Sequence, residues 1–166
     1  MKLLKIIIIG FVLLIGCACL ALSVPSDISQ SDLEENMGHI TGARCYPSEI
    51  LPAMIVYARE IDTNQLISVD VDVAPVYTLT VPAPGQYIVF AWTGSDRPTA
   101  DSLGGHYSCD AYSIGRNFVD HDSSVPEPYC EDWSDHTPLP VEVTAGATVK
   151  NIHICDWYEP DLVPRP

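Results

Sequence analysis

The stretch of sequence that decides the fold is residues 77–92, which read YTLTVPAPGQYIVFAW. Its first five residues alternate tyrosine, leucine and valine with threonine, the period-two pattern of a half-buried β-strand. The segment PAPG at 82–85 then interrupts the pattern, as proline and glycine do at turns. Residues 86–92 resume as a nearly continuous apolar run, which is typical of a well-buried strand. This stretch therefore predicts two strands joined by a short turn.

Short apolar runs separated by turn residues recur on both sides of this stretch. We expect further strands over residues 38–45, 53–61, 68–73, 141–144 and 148–155. No amphipathic helical pattern longer than two turns is found, and all 14 prolines lie after the first seventeen residues. Because short strands with regular turn signals are typical of sandwiches, we predict an all-β fold. The expected architecture is an antiparallel Greek-key-type β-sandwich of about seven strands, with a long disulfide-stapled loop region.

The first seventeen residues have the layout of an export signal. Lys2 and Lys5 precede an apolar run over residues 6–15, and a small residue and Cys17 follow. The ending LIGC at 14–17 resembles a bacterial lipobox, in which the cysteine is diacylated and becomes the N-terminus. We therefore predict a signal peptide over residues 1–16, lipidation of Cys17 and a membrane-anchored place in the bacterial cell envelope. Cleavage elsewhere, for instance after Ala21, would instead release a soluble form.

The charge of the chain limits its partners. The precursor has a formal net charge of −14. Removal of the two leader lysines leaves six of the eight basic residues against all 22 acidic ones, a charge of −16. Nucleic-acid binding is disfavoured, because phosphate contacts need clustered Lys and Arg. Residues 17–36 have no apolar period and are predicted to be a flexible tether between the membrane and the domain.

Four cysteines lie beyond the leader region, at Cys45, Cys109, Cys130 and Cys155. An even number in an exported chain indicates disulfides, and four cysteines permit three connectivities. Cys109 and Cys130 lie in one long segment, and Cys45 and Cys155 end the first and last predicted strands. We predict these two pairs. No CxxC spacing is present, so a redox or zinc-knuckle motif is not indicated.

The segment between residues 93 and 140 breaks the strand pattern, and loops of this length are usually functional or specially stapled. Aromatic residues in it offer a stacking surface for sugars or peptides, although aromatic rings more often fill cores. The candidates for a ligand-binding surface are Trp133, Tyr107, Tyr112 and Tyr129.

The same segment contains acidic residues that are weak candidates for calcium binding. Calcium requires six to eight oxygen ligands, usually gathered from loops. The candidate set is Asp110, Asp120, Asp122, Glu131 and Asp132. Asp70 and Asp72, by contrast, share one face of a predicted strand and are interpreted as a solvated sheet face. We expect no metal and no cofactor as the leading interpretation.

Catalytic motifs are weak in this chain. Asp135 and His136 are adjacent, but neighbours in an extended segment point to opposite faces and do not readily pair as base and orienting group. No GxSxG or HExxH motif is present. His153 and Cys155 share a strand face, yet Cys155 is assigned to a disulfide. The sequence therefore predicts no enzyme and no catalytic residue.

Several segments together resemble a known domain family. GHITG at 38–42, YPSE at 46–49 and Pro52 resemble the opening of carboxypeptidase-regulatory-like domains, and YTLTV running into PGQYIV resembles a later hairpin of that family. The segments at 135–137, 141–146 and 156–158 are similar to uncharacterised exported bacterial proteins of this transthyretin-like type. The resemblance implies a β-sandwich over residues 37–160, followed by a C-terminal tail at 161–166. It also implies a non-catalytic accessory role.

These observations predict a lipid-anchored extracytoplasmic β-sandwich that acts as a structural or protein-interaction module at the cell surface. A carbohydrate- or peptide-binding module using the loop aromatics is the alternative. A calcium-binding domain or a hydrolase is less well supported. The expected partners are the membrane, through the lipid, and a cell-surface protein or glycan.

Overall fold

The computed structural model describes residues 36–94, 98–157 and 160–166. The predicted signal peptide, the lipidation site Cys17 and nearly all of the predicted tether lie outside the described residues. Within the described ranges, no helix is both long and apolar enough to cross a membrane.

The described part of the chain consists mainly of β-strands. The strands are β1 (Met37–Ala43), β2 (Met54–Glu60), β3 (Leu66–Val71), β4 (Val76–Pro82), β5 (Gly85–Thr93), β6 (Gly104–His106), β7 (Pro140–Val143) and β8 (Thr148–Val149). One α-helix, α1 (Cys109–Phe118), follows β6, and a 3₁₀ turn at Pro160–Leu162 precedes the C-terminus.

The strands form two sheets. In the first sheet the order is β4-β1-β8, with β1 antiparallel to β4 and parallel to β8. In the second sheet the order is β3-β2-β5-β6, all antiparallel, and β7 pairs with β5 beside β6. The prediction of an all-β fold is confirmed, and β6 is a strand that the sequence pattern did not reveal.

One apolar cluster is shared by the two sheets. On β4, residues Tyr77, Leu79 and Val81 are buried while the residues between them are exposed, as the alternation predicted. They pack in one cluster with Ile40 of β1 and Val89 of β5, both fully buried. Each such side chain contributes roughly 1.5–3 kcal/mol to the free energy of folding. This shared core holds the two sheets together.

The other face of β5 is also buried. Phe90 and Trp92 lie in a second cluster with Tyr57 and Val163, so the C-terminal segment covers this face of the sheet. The indole Nε1 of Trp92 donates a hydrogen bond to the carbonyl of Pro164 at 2.9 Å. Burial on both faces explains why this strand reads as a continuous apolar run. The predicted C-terminal tail is therefore packed against the domain.

The helix α1 is a correction to the predicted loop region. Ser108 caps it, with its Oγ accepting a hydrogen bond from the backbone N–H of Ala111 at 3.0 Å. Ala111, Tyr112 and Gly115 are buried on one face at helical spacing. A helix of ten residues with a glycine in its interior gives only a weak sequence signal, because glycine lowers helix propensity.

The last predicted strand is shorter than expected. Of residues 148–155, only Thr148 and Val149 form a strand. Asn151 adopts a positive φ of 63°, a conformation that asparagine tolerates better than most residues, and the regular strand ends before it. Beyond it the chain makes isolated bridges, Ile154 with Arg44 and Asp156 with His106.

Both predicted disulfides are present. Cys45 is bonded to Cys155, and Cys109 is bonded to Cys130. The first joins the end of the opening strand region to the C-terminal segment. The second ties the start of α1 to the following loop.

The two disulfides close loops of different length. Cys45 and Cys155 are 110 residues apart in sequence, whereas Cys109 and Cys130 are 21 residues apart. In the chain-entropy model, removing them by double Cys→Ala substitution costs about 5 kcal/mol for Cys45–Cys155 and about 3 kcal/mol for Cys109–Cys130. Urea unfolding of the two variants measures both losses. A larger loss for the Cys109–Cys130 variant would contradict this expectation.

Candidate functional site

A buried carboxylate organises the region where the C-terminal segment meets α1. Asp156 is fully buried. Its Oδ2 accepts a hydrogen bond from Ser108 Oγ at 2.8 Å and lies 2.8 Å from His136 Nδ1. An ionised carboxylate can only accept, so His136 Nδ1 carries the proton in this contact. We call Asp156, His136, Asp110, Ser108 and His106 the Asp156 cluster.

His106 is the second fully buried member of the Asp156 cluster. Its Nε2 donates to the carbonyl of His136 at 2.5 Å, because a carbonyl oxygen can only accept. The same Nε2 lies 3.4 Å from Asp156 Oδ2. Its Nδ1 is buried and has no hydrogen-bond partner among the described residues.

Asp110 completes the cluster from the first turn of α1. Its Oδ2 lies 3.9 Å from His136 Nδ1. Burial raises the pKa of the Asp110 carboxyl, and the nearby charge of Asp156 raises it further. Asp110, His136 and Asp156 each offer a donor atom, and these three atoms lie within 4.8 Å of one another. Among the described residues, no other group of three or more His, Cys, Asp or Glu side chains is placed to share one metal ion.

Asp135 and His136 each contact a partner other than the neighbouring residue. Asp135 Oδ1 accepts from the backbone N–H of Thr137 at 2.8 Å, a local loop contact. His136 instead meets Asp156, which is 20 residues away in sequence. A signal for part of the cluster was available: His106 and Ser108 are spaced two apart, the spacing of one face of an extended segment, before α1 begins at Cys109.

Among the described residues, the five calcium candidates do not form a group placed to share one ion. Asp110 belongs to the Asp156 cluster. Asp122 bonds Lys150 Nζ at 3.0 Å, and hydrogen bonds from Ser124 followed by the Lys150 contact lower its pKa to about 2. Asp132 accepts from the side chain of Ser134, whereas Asp120 and Glu131 are exposed. Asp122 and Asp132 are each held in a separate local turn by a serine two residues further along the chain.

The four aromatic candidates do not form one exposed platform either. Tyr107 and Tyr112 are both buried in the main core. Tyr107 directly follows β6, and Tyr112 lies on the buried face of α1. Tyr129 is 84% exposed. Trp133 is partly buried, and the guanidinium of Arg116 lies over its ring at 5.4 Å. Only Tyr129 and Trp133 remain accessible to a ligand at this surface.

A cleft of about 690 Å³ opens beside α1. It lies between the end of β1, the segment after α1 and the chain beyond β8. We call it the histidine cleft, and it is lined by Thr41, Gly42, Ala43, Pro75, Val76, Val119, Asp120, His121, Asp122, Lys150, Asn151 and His153. Of the residues considered in the sequence analysis, Asp120, Asp122 and His153 line this cleft.

The walls of the histidine cleft are tied together by Asn151. Its Oδ1 accepts from the backbone N–H of Asp122 at 3.1 Å, and its Nδ2 donates to the carbonyl of the same residue at 2.9 Å. The Lys150–Asp122 ion pair lies beside this pair of bonds. These contacts fix the segment after α1 against the chain that follows β8.

Two imidazoles lie at the base of the histidine cleft. His153 Nδ1 accepts from the backbone N–H of Ala43 at 3.1 Å, so its proton is on Nε2, which is buried and has no partner. The ring of His121 lies 5.8 Å away, its Nε2 is 3.2 Å from the hydroxyl of Tyr112, and its Nδ1 is also unpartnered. Gly115 allows α1 to approach, because a Cβ there would lie 2.6 Å from the His153 ring.

Burial, followed by the neighbouring His121, lowers the pKa of His153 to about 4. The ring is therefore neutral at neutral pH and offers an N–H donor rather than a lone pair at Nε2. Since its other nitrogen is already occupied by a backbone N–H, His153 is better suited to meet a hydrogen-bond acceptor than a metal ion.

Comparisons of the chain with protein-family models, with curated proteins and with solved structures found no match.

The low pKa of His153 predicts a loss of stability in acid. In the unfolded state His153 takes up a proton near pH 6.5, whereas in the folded state it does so only near pH 4. The contribution of the neutral ring to the free energy of unfolding is therefore complete above pH 6.5 and is lost as the pH falls to 4. The shift corresponds to about 3 kcal/mol. His153→Asn, which keeps an acceptor for the Ala43 N–H, should flatten the unfolding free energy over this window, measured by urea titration at each pH.

The matched control is His39→Asn, a change at the partly exposed histidine of β1. It should retain the wild-type dependence on pH. Equal slopes for wild type and His153→Asn between pH 6.5 and 4 would contradict the assignment.

Proposed function

We propose that this chain is a lipid-anchored, extracytoplasmic β-domain that acts without catalysis as an interaction module at the cell surface. The histidine cleft is its binding site in this proposal. The leader with its lipobox-like ending supports the anchor, and the two disulfides are compatible with an extracytoplasmic location. The resemblance to carboxypeptidase-regulatory-like domains supports an accessory role.

The observation that carries the proposal is the histidine cleft itself. Its volume of about 690 Å³ falls within the range of pockets that bind small ligands. Such pockets are usually largely preformed, and the double hydrogen bond from Asn151 to Asp122 gives this cleft a fixed wall. A rigid cleft avoids part of the entropy cost of ordering a binding loop.

The lining indicates the kind of ligand. Val76, Val119 and Ala43 offer apolar surface, and Lys150 places an ammonium group at the side. The N–H of His153 is buried behind this lining and has no acceptor within the described part of the chain. A small ligand with one apolar face and hydrogen-bond acceptors, such as a peptide end or a sugar unit of the cell surface, fits this combination. The cleft supports such binding better than the loop aromatics, two of which are in the core.

The test is a thermal-shift screen of the oxidised full chain with cell-wall peptides and polysaccharides at fixed ionic strength. A ligand at 100 times its dissociation constant adds about 2.7 kcal/mol to the free energy of unfolding. Val76→Trp, which fills the cleft with a larger side chain, should abolish the shift. Val73→Trp is the matched control, since Val73 is exposed and does not line the cleft.

A shift that persists in Val76→Trp would place the binding site elsewhere and contradict the role of the cleft. The absence of any shift across the panel would contradict small-ligand binding by this domain.

A further inference from the structure

We infer that Asp110, His136 and Asp156 form a binding site for a first-row divalent transition-metal ion, with zinc as the probe. This site is separate from the histidine cleft, and the inference does not depend on the proposed binding role of that cleft.

The geometry of the three side chains suits one ion. His136 Nδ1 lies 2.8 Å from Asp156 Oδ2 and 3.9 Å from Asp110 Oδ2, and the three donor atoms lie within 4.8 Å of one another. Ligand bonds to zinc are about 2.0–2.2 Å long for imidazole nitrogen and carboxylate oxygen. Donor atoms on one ion therefore lie roughly 3–4 Å apart. The set reaches this range when Asp110 moves slightly inward and the hydrogen-bonded pair of His136 and Asp156 opens slightly to admit the ion.

The ligand types select the class of metal. One imidazole and two carboxylates suit zinc and its first-row neighbours, whereas calcium prefers a shell of six to eight oxygens. Three protein ligands leave at least one position for water, the arrangement of an open site. Asp110 makes no side-chain hydrogen bond within the described ranges, and the partner of its carboxylate is His136 at 3.9 Å. Its oxygens are thus available to an ion.

The surroundings orient the ligands as outer-shell groups do in metal sites. Ser108 Oγ donates to Asp156 Oδ2 and fixes that carboxylate. His106 Nε2 donates to the carbonyl of His136 and fixes the loop that carries the imidazole. The same Nε2 lies 3.4 Å from Asp156 Oδ2, so the fully buried His106 ring also faces the innermost ligand of the site.

The site is open to solvent on one side. The side chains of His136 and Asp110 are 30% and 20% exposed, whereas Asp156 is fully buried beneath them. An ion can reach the outer two ligands and close onto the third. Binding replaces the proton on His136 Nδ1.

The experiment is isothermal titration of the oxidised full chain, freed of metal with EDTA, with ZnCl₂, MnCl₂ and CaCl₂ at pH 7.5. We expect one zinc ion per chain at this site and weaker binding of calcium. His136→Ala and Asp110→Asn should each weaken zinc binding at least about tenfold. His39→Ala and Asp70→Asn, which alter a partly exposed and an exposed strand residue, are the matched controls and should bind as wild type does. All variants keep Cys17 and Cys19, so any zinc held by those thiols is common to every titration.

Asp110→Asn alters a partly exposed side chain and keeps its shape, so it tests the site even where His136→Ala fails to fold. Zinc affinity unchanged in Asp110→Asn would overturn the inference. Calcium binding tighter than zinc binding, or no zinc binding by the wild-type chain at millimolar concentration, would overturn it as well.

Discussion

The buried carboxylate of Asp156 is the interaction on which the rest of this structure depends. A carboxylate removed from water without partners costs several kcal/mol, so it must be surrounded by donors before the chain can close over it. Ser108 and His136 supply two donors at 2.8 Å. Ser108 also caps α1, and His136 belongs to the loop that leads into β7. One charge therefore fixes the helix, the loop and the C-terminal segment relative to each other.

The neighbouring disulfide extends this constraint to the first sheet. Cys155 precedes Asp156 and is bonded to Cys45, which follows β1. The same C-terminal segment contains His153, whose Nδ1 accepts from Ala43 of β1. The segment therefore contributes to two sites at once. His153 lines the histidine cleft, and Asp156 is the buried member of the Asp156 cluster.

The sequence predicted the parts of the fold that are set by local pattern. The alternation in residues 77–81 identified β4 and its buried face, and cysteine positions identified both disulfides. The helix α1 was missed because its buried residues are few and include Gly115. The Asp156 cluster was missed for a different reason. Ser108 and Asp156 are 48 residues apart in sequence, and the spacing of residues within one strand or helix does not indicate a contact over that separation.

The most direct test of the central claim is a double-mutant cycle between Ser108→Ala and Asp156→Ala, measured as free energies of unfolding in urea. The cycle separates the side-chain contact from the capping role of Ser108, because the cap is lost equally in both backgrounds. We predict a coupling energy of about 2 kcal/mol, within the range found for residues in one hydrogen-bond network. Effects that add to within about 0.5 kcal/mol would contradict the account, because Asp156 would then not be organising the helix terminus.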